Sequence, residues 1–318
     1  MSAAAVSPRW RAHQYHYLSA DSHVHPFLVD LWDDVREQTG GRFDATVHAA
    51  NDGLSGSHLD IVQRLIDGDI EFYVLMGGIL GPLVPAMEIQ GLPFAFKNHD
   101  QVHAVFDGAL GDHLRQELLA KDLYAVPFGL MENGFRHIST RDKPVSQARD
   151  LDGLRIRIPE GRMFDDAFRS LGAEPVPVYV LEMNRALAER RVDAQENPLA
   201  VTAALKLYEV THHVALTYHM WSGFNLLASR RFWDTLPRDV QDIILRSAKK
   251  HAHRQRVHTD ALNHGLEATL AQRGMRITHP DQGSFRDRLV DSGFYVRWKE
   301  TLGRTAWDLL ERSTGKLG

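Results

Sequence analysis

Between Leu154 and Ile158 apolar residues alternate with Arg155 and Arg157, the period-2 pattern of a short strand with one apolar face. Both guanidiniums then lie on the other face. Pro159 lacks the N–H that a sheet ladder needs and ends the strand. Arg157 therefore falls near a strand end, where open α/β sheets collect small ligands. A helix, a second strand and another helix are predicted after it, leading to Asp193-Ala-Gln-Glu-Asn197-Pro198.

The chain before this stretch reads as strand, helix, strand, helix, strand. Residues 1–13 look like a loose arm, and His16 to Leu18 are predicted as the first strand. The loop Ser19 to Pro26 follows, then an amphipathic helix over Phe27 to Thr39 closed by Gly40-Gly41. Phe43 to His48 alternates as a strand, Leu59 to Asp67 as a helix, and Ile70 to Met76 as a buried strand ending in Gly77-Gly78. That order predicts an α/β lobe with a largely parallel sheet. Two helical pieces over His99 to Leu119 and a strand over Leu123 to Leu130 come next, and Glu132 to Ile138 crosses to a second lobe. Phe224 to Ser229 returns as a strand. A helix of unusual length is predicted from Pro237 toward Gly274, interrupted only by Gly265. Met275 to Thr278 is a last strand, and two helices over 283–312 close the chain.

Length adds that 318 residues exceed one ordinary core, so two lobes are expected. Apolar content of 43% and charged content of 25% are those of a globular chain. A net charge of −4 argues against nucleic acid as a partner, since phosphate binding wants a basic face. The absence of cysteine removes disulfides and thiolate sites. No stretch reads as membrane-spanning: Phe72 to Met87 is broken by glycines and prolines, and Val210 to Ser229 holds three histidines. The N-terminus lacks a basic region followed by an apolar core, so no secretory signal is legible, and Met1 to Ala5 reads as a trimmed start.

Candidate chemistry concentrates at strand ends. Asn197 before Pro198 reads as a helix N-cap with proline at N1, on a helix to about Glu209, with Gln195 and Glu196 as weaker neighbours. Its amide at a positive helix end also suits an anion. Asp21, Ser22, His23 and His25 follow the first strand, Asn51 and Asp52 sit in a loop, and Met76 to Gly78, with Gly77, end the third strand. These are natural positions for hydrogen bonds to ligand hydroxyls, or simply turn residues. Phe94, Phe96, Trp221 and Phe224 are available as an aromatic wall or as core.

Several spaced motifs in order carry a family resemblance: Glu132-Asn-Gly-Phe-Arg136, Gly153-Leu-Arg-Ile-Arg157-Ile-Pro159, Leu171-Gly-Ala173 with Pro175 and Pro177, Val192 to Pro198, Lys206-Leu-Tyr-Glu-Val210, and Phe232-Trp-Asp-Thr-Leu-Pro237 before the long helix. Over roughly residues 14 to 310 the chain resembles the solute-binding proteins of tripartite ATP-independent periplasmic (TRAP) transporters, the DctP family. The resemblance implies a two-lobed α/β fold of the periplasmic-binding-protein kind, with mostly parallel sheets, an antiparallel crossing strand and a long lobe-spanning helix. Lobe I would hold 1–134 with 224–265, lobe II 135–223 with 266–318, and the ligand would lie in the cleft between them. It implies no reaction and no cofactor. It places the carboxylate-clamping arginine at Arg157, a second arginine at Arg136, and Asn197 beside them. A guanidinium grips a carboxylate through two parallel hydrogen bonds, which lysine cannot copy. Family members commonly place an aromatic side chain where this chain has Val180, so its pocket wall is rebuilt. The polar first-lobe set leans toward a hydroxylated acid such as a uronate or aldonate. The implied partners are the ligand and membrane permease subunits of DctQ/DctM type, the implied location periplasmic, and the implied state monomeric.

One motif competes. His23-Val-His25 puts two imidazoles on one face at a strand end and resembles the opening of metal-dependent amidohydrolase barrels. That reading requires further ligands after later strands, and no second ordered motif appears among the 18 histidines.

Overall fold

The computed structural model describes residues 8–317. The first seven residues of the expected N-terminal arm thus lie outside the described residues. The remainder of that arm is not loose. Trp10–His16 form strand β1, pairing in parallel with β2 (Phe43–His48) from Trp10↔Phe43 to Tyr15↔His48. Polar Arg11, His13 and Gln14 obscure the strand in the sequence, but alternation still buries Ala12, Gln14 and His16.

The chain forms two compact units: residues 1–76, 112–132 and 224–258, and residues 77–111, 133–223 and 259–318. In the first, β1 lies between β2 and β3 (Phe72–Met76), all parallel. The 224–228 part of β9 (His213–Ser229) pairs antiparallel with β3, and β4 (Leu123–Ala125) pairs with β9 as well. β3 is buried along its whole length, which is why its sequence shows no alternation. Helix α1 (His25–Gln38) packs Trp32 against Phe72 and Phe43, ring centroids 4.5 and 5.7 Å apart. Helix α2 (His58–Asp67) starts on a reciprocal capping box between Ser57 and Asp60 and ends on Gly68 at φ +85°.

Residues 77–111, expected with lobe I, cluster with the second unit. The buried Glu88 carboxylate accepts from the Arg162 guanidinium and from Met163 N, at the start of α5 (Arg162–Ser170). Tyr295 in α11 (Phe294–Leu302) donates to Pro93 O. The segment also carries α3 (His99–Phe106); α4 (Ala109–Leu119) follows it and continues into the first unit.

The sheet of the second unit runs β9, β5 (Met131–Thr140), β8 (Ala194–Asn197), β6 (Arg155–Ile158), β7 (Glu174–Pro177), with β10 (Arg276–Thr278) on β9. β6 is parallel to both neighbours, while β5 and β8 are antiparallel. Two prolines are tolerated in β7 because it is the last strand of this order. α6 (Met183–Ala188) and α7 (Leu199–Ala204) cover the sheet through apolar clusters around Leu187 and Val192 and around Leu199 and Val214.

The α/β class expected from the sequence holds, with three corrections. β9 is a strand of 17 residues, not six. Its histidines and threonine hid it, and all three are buried. Three helices close the chain, since α10 (Gln282–Asp291) and α11 are followed by α12 (Arg304–Thr314) after Gly303. Asn197 is not a helix cap: it ends β8, and α7 begins at Leu199 with Pro198 as N-cap and stops at Ala204. A short α8 (Arg230–Trp233) precedes α9 (Arg238–Gln272), whose 35 residues span about 52 Å and include Gly265 without a break. Among the described residues no helix is long and apolar enough to cross a membrane.

Candidate functional site

β6 is flanked by strands on both sides, so Arg157 is not the solvated edge residue that the sequence alone allows. It is 2% exposed, and its Nε donates to Val178 O at 2.8 Å. That bond fixes the plane of the guanidinium. Arg155, two residues earlier, is spent on the surface: it pairs with Asp193 at 2.8 and 2.9 Å and its side chain is 43% exposed.

Opposite Arg157 in the ladder stands Gln195, whose Oε1 accepts from Asn197 Nδ2 at 2.6 Å. Asn197 Oδ1 in turn accepts from Arg136 at 3.1 Å. Of the three residues expected around a carboxylate, Arg136 and Asn197 are hydrogen-bonded to each other, and Arg157 is the ladder neighbour of Gln195, which Asn197 contacts. Arg136, on β5, is 2% exposed and makes a bidentate pair with Glu196 at 2.5 and 2.7 Å. It also donates to Glu196 O and to Ser222 Oγ and lies over the Phe164 ring at 5.2 Å. Burial pushes the Glu196 carboxyl up, but the Arg136 charge and the His219 hydrogen bond outweigh it and hold the group below its usual range. His219 Nε2 donates to Glu196 at 3.3 Å, and burial lowers its pKa despite that carboxylate. Glu196 and His219 are the members the sequence undervalued. Their signal lay in partners 60 and 23 residues away, which no local pattern carries.

The first unit holds a second polar cluster. Asn51, at φ +56° and buried, donates to Tyr73 Oη at 3.4 Å, and His58 Nδ1 contacts the same hydroxyl at 3.0 Å. Tyr17 meets His58 edge-on at 4.7 Å and Phe224 at 6.1 Å, and Phe224 also faces His23. Tyr17 and Tyr73 had no signal in the sequence beyond lying in predicted strands, and His58 none beyond preceding a predicted helix. Burial lowers the pKa of both His23 and His58 to about 4. Asn51 Oδ1 and His23 Nε2 are shut off from water with no hydrogen-bond partner among the described residues. Asp21 is exposed in its loop.

The remaining candidates have mixed fates. Gly77 is buried at a short 3-10 turn. Phe94 takes φ +52°, and its N–H donates to His219 O. Val180 packs beside the Met183–Leu187 cluster. Trp221 stacks on Phe106 at 5.5 Å and meets Phe96, the core-packing alternative. His23 and His25 separate: His25 Nδ1 lies 2.9 Å from His16 Nε2, while His23 faces Phe224. Among the described residues no group of three or more histidines, aspartates or glutamates is arranged to hold a metal.

Comparison with known proteins identifies the family. Residues 15–291 match the family model of DctP, bacterial extracellular solute-binding protein, family 7. A solute-binding protein of Verminephrobacter eiseniae is 30% identical over 77% of this chain and 72% of its own length. The sialic acid-binding periplasmic protein SiaP of Vibrio cholerae is 28% identical over 81% and 79%. Among solved structures, a sugar acid binding protein of Advenella mimigardefordensis in complex with galactonate superposes with a TM-score of 0.89 at 25% identity, covering 98% of this chain and 100% of that one. A TRAP periplasmic solute binding protein of Polaromonas bound to D-erythronate gives 0.85 at 28% identity, covering 95% and 98%. The amidohydrolase reading falls with these matches. The chain belongs to the DctP family of bacterial extracellular solute-binding proteins, TRAP receptors for small organic acids that serve a membrane permease and are not enzymes.

Proposed function

We propose that this receptor takes a sugar acid, an aldonate or a uronate, and holds its carboxylate on Arg157, with Asn197 and Arg136 assisting. The observation that carries the reading is the buried Arg157 guanidinium at the end of β6, its plane set by the Val178 carbonyl. A bidentate clamp needs such a fixed plane. Arg136 is charge-balanced by Glu196, which suits it to an assisting role. The hydroxylated remainder is supported by relatives whose structures hold galactonate and D-erythronate. Delivery is to a permease of DctQ/DctM type, from the periplasm, by a monomer.

A thermal-shift panel of aldonates, uronates, C4-dicarboxylates and 2-oxo acids tests this, each acid beside its amide. A ligand at ~100 times its dissociation constant stabilises the fold by about 2.7 kcal/mol. A sugar acid is expected to raise the transition far more than its amide. A rise with succinate and none with any sugar acid would overturn the reading, as would equal responses to acid and amide.

A further inference from the structure

Phe135 and His137 alternate with Arg136 along β5 and so present to the opposite face of the strand from the Arg136–Glu196 pair. On that face lies a cavity of about 280 Å³, within the second unit, bounded also by Lys97, by Tyr218 of β9 and by Asp260, Asn263 and Glu267 of α9. Tyr218 is 44% exposed and held at φ +49°, an unusual backbone for an aromatic residue inside a strand. Its ring stands edge-on to His137 at 4.5 Å and lies 6.0 Å from Phe135.

The polar groups of this cavity have assigned directions. Tyr218 N donates to His137 Nδ1 at 3.4 Å, so the neutral ring carries its proton on Nε2. Burial, with the His219 and Arg136 charges, lowers the His137 pKa to about 3 and keeps the ring neutral. Asn263 Oδ1 accepts from Ala200 N at 3.2 Å, which leaves its Nδ2 as the donor. Asp260 supplies acceptors, with His99 Nε2 and His264 Nδ1 at 3.6 and 3.5 Å from its Oδ1. Glu267 supplies more, and its charge with burial holds the Tyr218 phenol protonated.

Lys97 also lines the cavity and offsets part of the charge of the two carboxylates, so the lining carries no strong charge of one sign, and the His137 and Asn263 donors disfavour an ammonium. Hydroxyl groups satisfy both sets, because each donates and accepts. We propose that this pocket binds a neutral polyhydroxylated molecule of monosaccharide size, stacked on Tyr218, with hydroxyls bridging His137 and Asn263 to Asp260 and Glu267. The volume sits at the small end of ligand pockets and suits one sugar ring.

The test uses the full chain carrying Arg157→Ala, which silences the acid site, with ligand-observed NMR titrations of D-galactose, glycerol, putrescine and galactonate. Saturable binding of galactose is expected, weakened about three- to tenfold by Asn263→Leu and by Tyr218→Ala. Asp260→Asn serves if the Tyr218 variant does not fold. The proposal is overturned if no neutral sugar or polyol binds saturably, if putrescine or galactonate takes the pocket instead, or if the variants bind galactose as tightly as their parent.

Discussion

The Arg136 guanidinium and the Glu196 carboxylate meet edge to edge, Nε to Oε2 and Nη2 to Oε1, with both side chains at 2% exposure or less. Removing one partner strands the other's charge in the interior. Glu196→Ala is expected to cost about 3–5 kcal/mol of stability. Replacing both with apolar residues of similar volume, Arg136→Met with Glu196→Met, is expected to cost less than Glu196→Ala alone. Urea denaturation of the three proteins checks the order. A double variant weaker than the single would mean the pair stabilises through more than mutual neutralisation.

Arg157 has a different sensitivity. Its Nε is committed to Val178 O, so the side chain is positioned before any ligand arrives. Arg157→Ala is expected to lose ~2–5 kcal/mol of acid binding, on the order of 30- to several-thousand-fold. Arg157→Lys restores the charge without the planar fork and is expected to recover only part of the loss. Calorimetric titration with the best sugar acid of the panel decides it. Full recovery by lysine would show that charge alone is read.

Legibility in the sequence followed how local each signal was. Phe43–His48 and α2 emerge nearly at their true bounds because strand alternation and the apolar face of Ile61, Val62, Leu65 and Ile66 are local. Arg157 was placed correctly on a strand by five residues of alternation. Its burial was not legible, because β7 and β8 pair with it from residues 19 and 38 positions away. Asn197 shows the same limit in reverse. The Asn-Pro pair fits a cap locally, yet the amide faces Arg136 and Gln195 and the helix starts later. β9 was cut short because Thr217 and His219 read as polar breaks, whereas Thr217 and Glu196 hydrogen-bond His219 inside the protein.

Acid is expected to destabilise this protein through its buried histidines. Burial depresses His16, His23 and His58 to about 4 and His137 to about 3, against 6.5 for a free imidazole. The unfolded chain therefore binds protons first as pH falls, and stability declines with it. The contribution is fully present above about pH 6.5 and is lost toward the folded pKa values near 4. Each such histidine adds up to about 1.4 kcal/mol per pH unit within that window. Chemical denaturation between pH 8 and 4 should show a plateau and then a fall, shallower in His137→Gln. Stability rising on acidification would contradict the assignment of neutral buried rings.

Two glycines should respond to alanine in opposite senses. Gly134 sits in β5 at φ +124°, and a Cβ there would lie 3.1 Å from Asn263 Nδ2 and 3.3 Å from Pro198 Cβ. Its carbonyl also accepts from Ser222 Oγ, so the backbone has little room to rotate away. Gly134→Ala must therefore strain the strand or push Asn263, and about 1–3 kcal/mol of destabilisation is expected. Gly265 lies inside α9 with nothing within 4 Å of the position a Cβ would take. There alanine restricts the unfolded chain without meeting a neighbour, and a gain of roughly 0.5–1 kcal/mol is expected. Melting curves of the two variants beside the parent read both signs at once. A destabilising Gly265→Ala would mean that α9 needs the conformational freedom of glycine at this position.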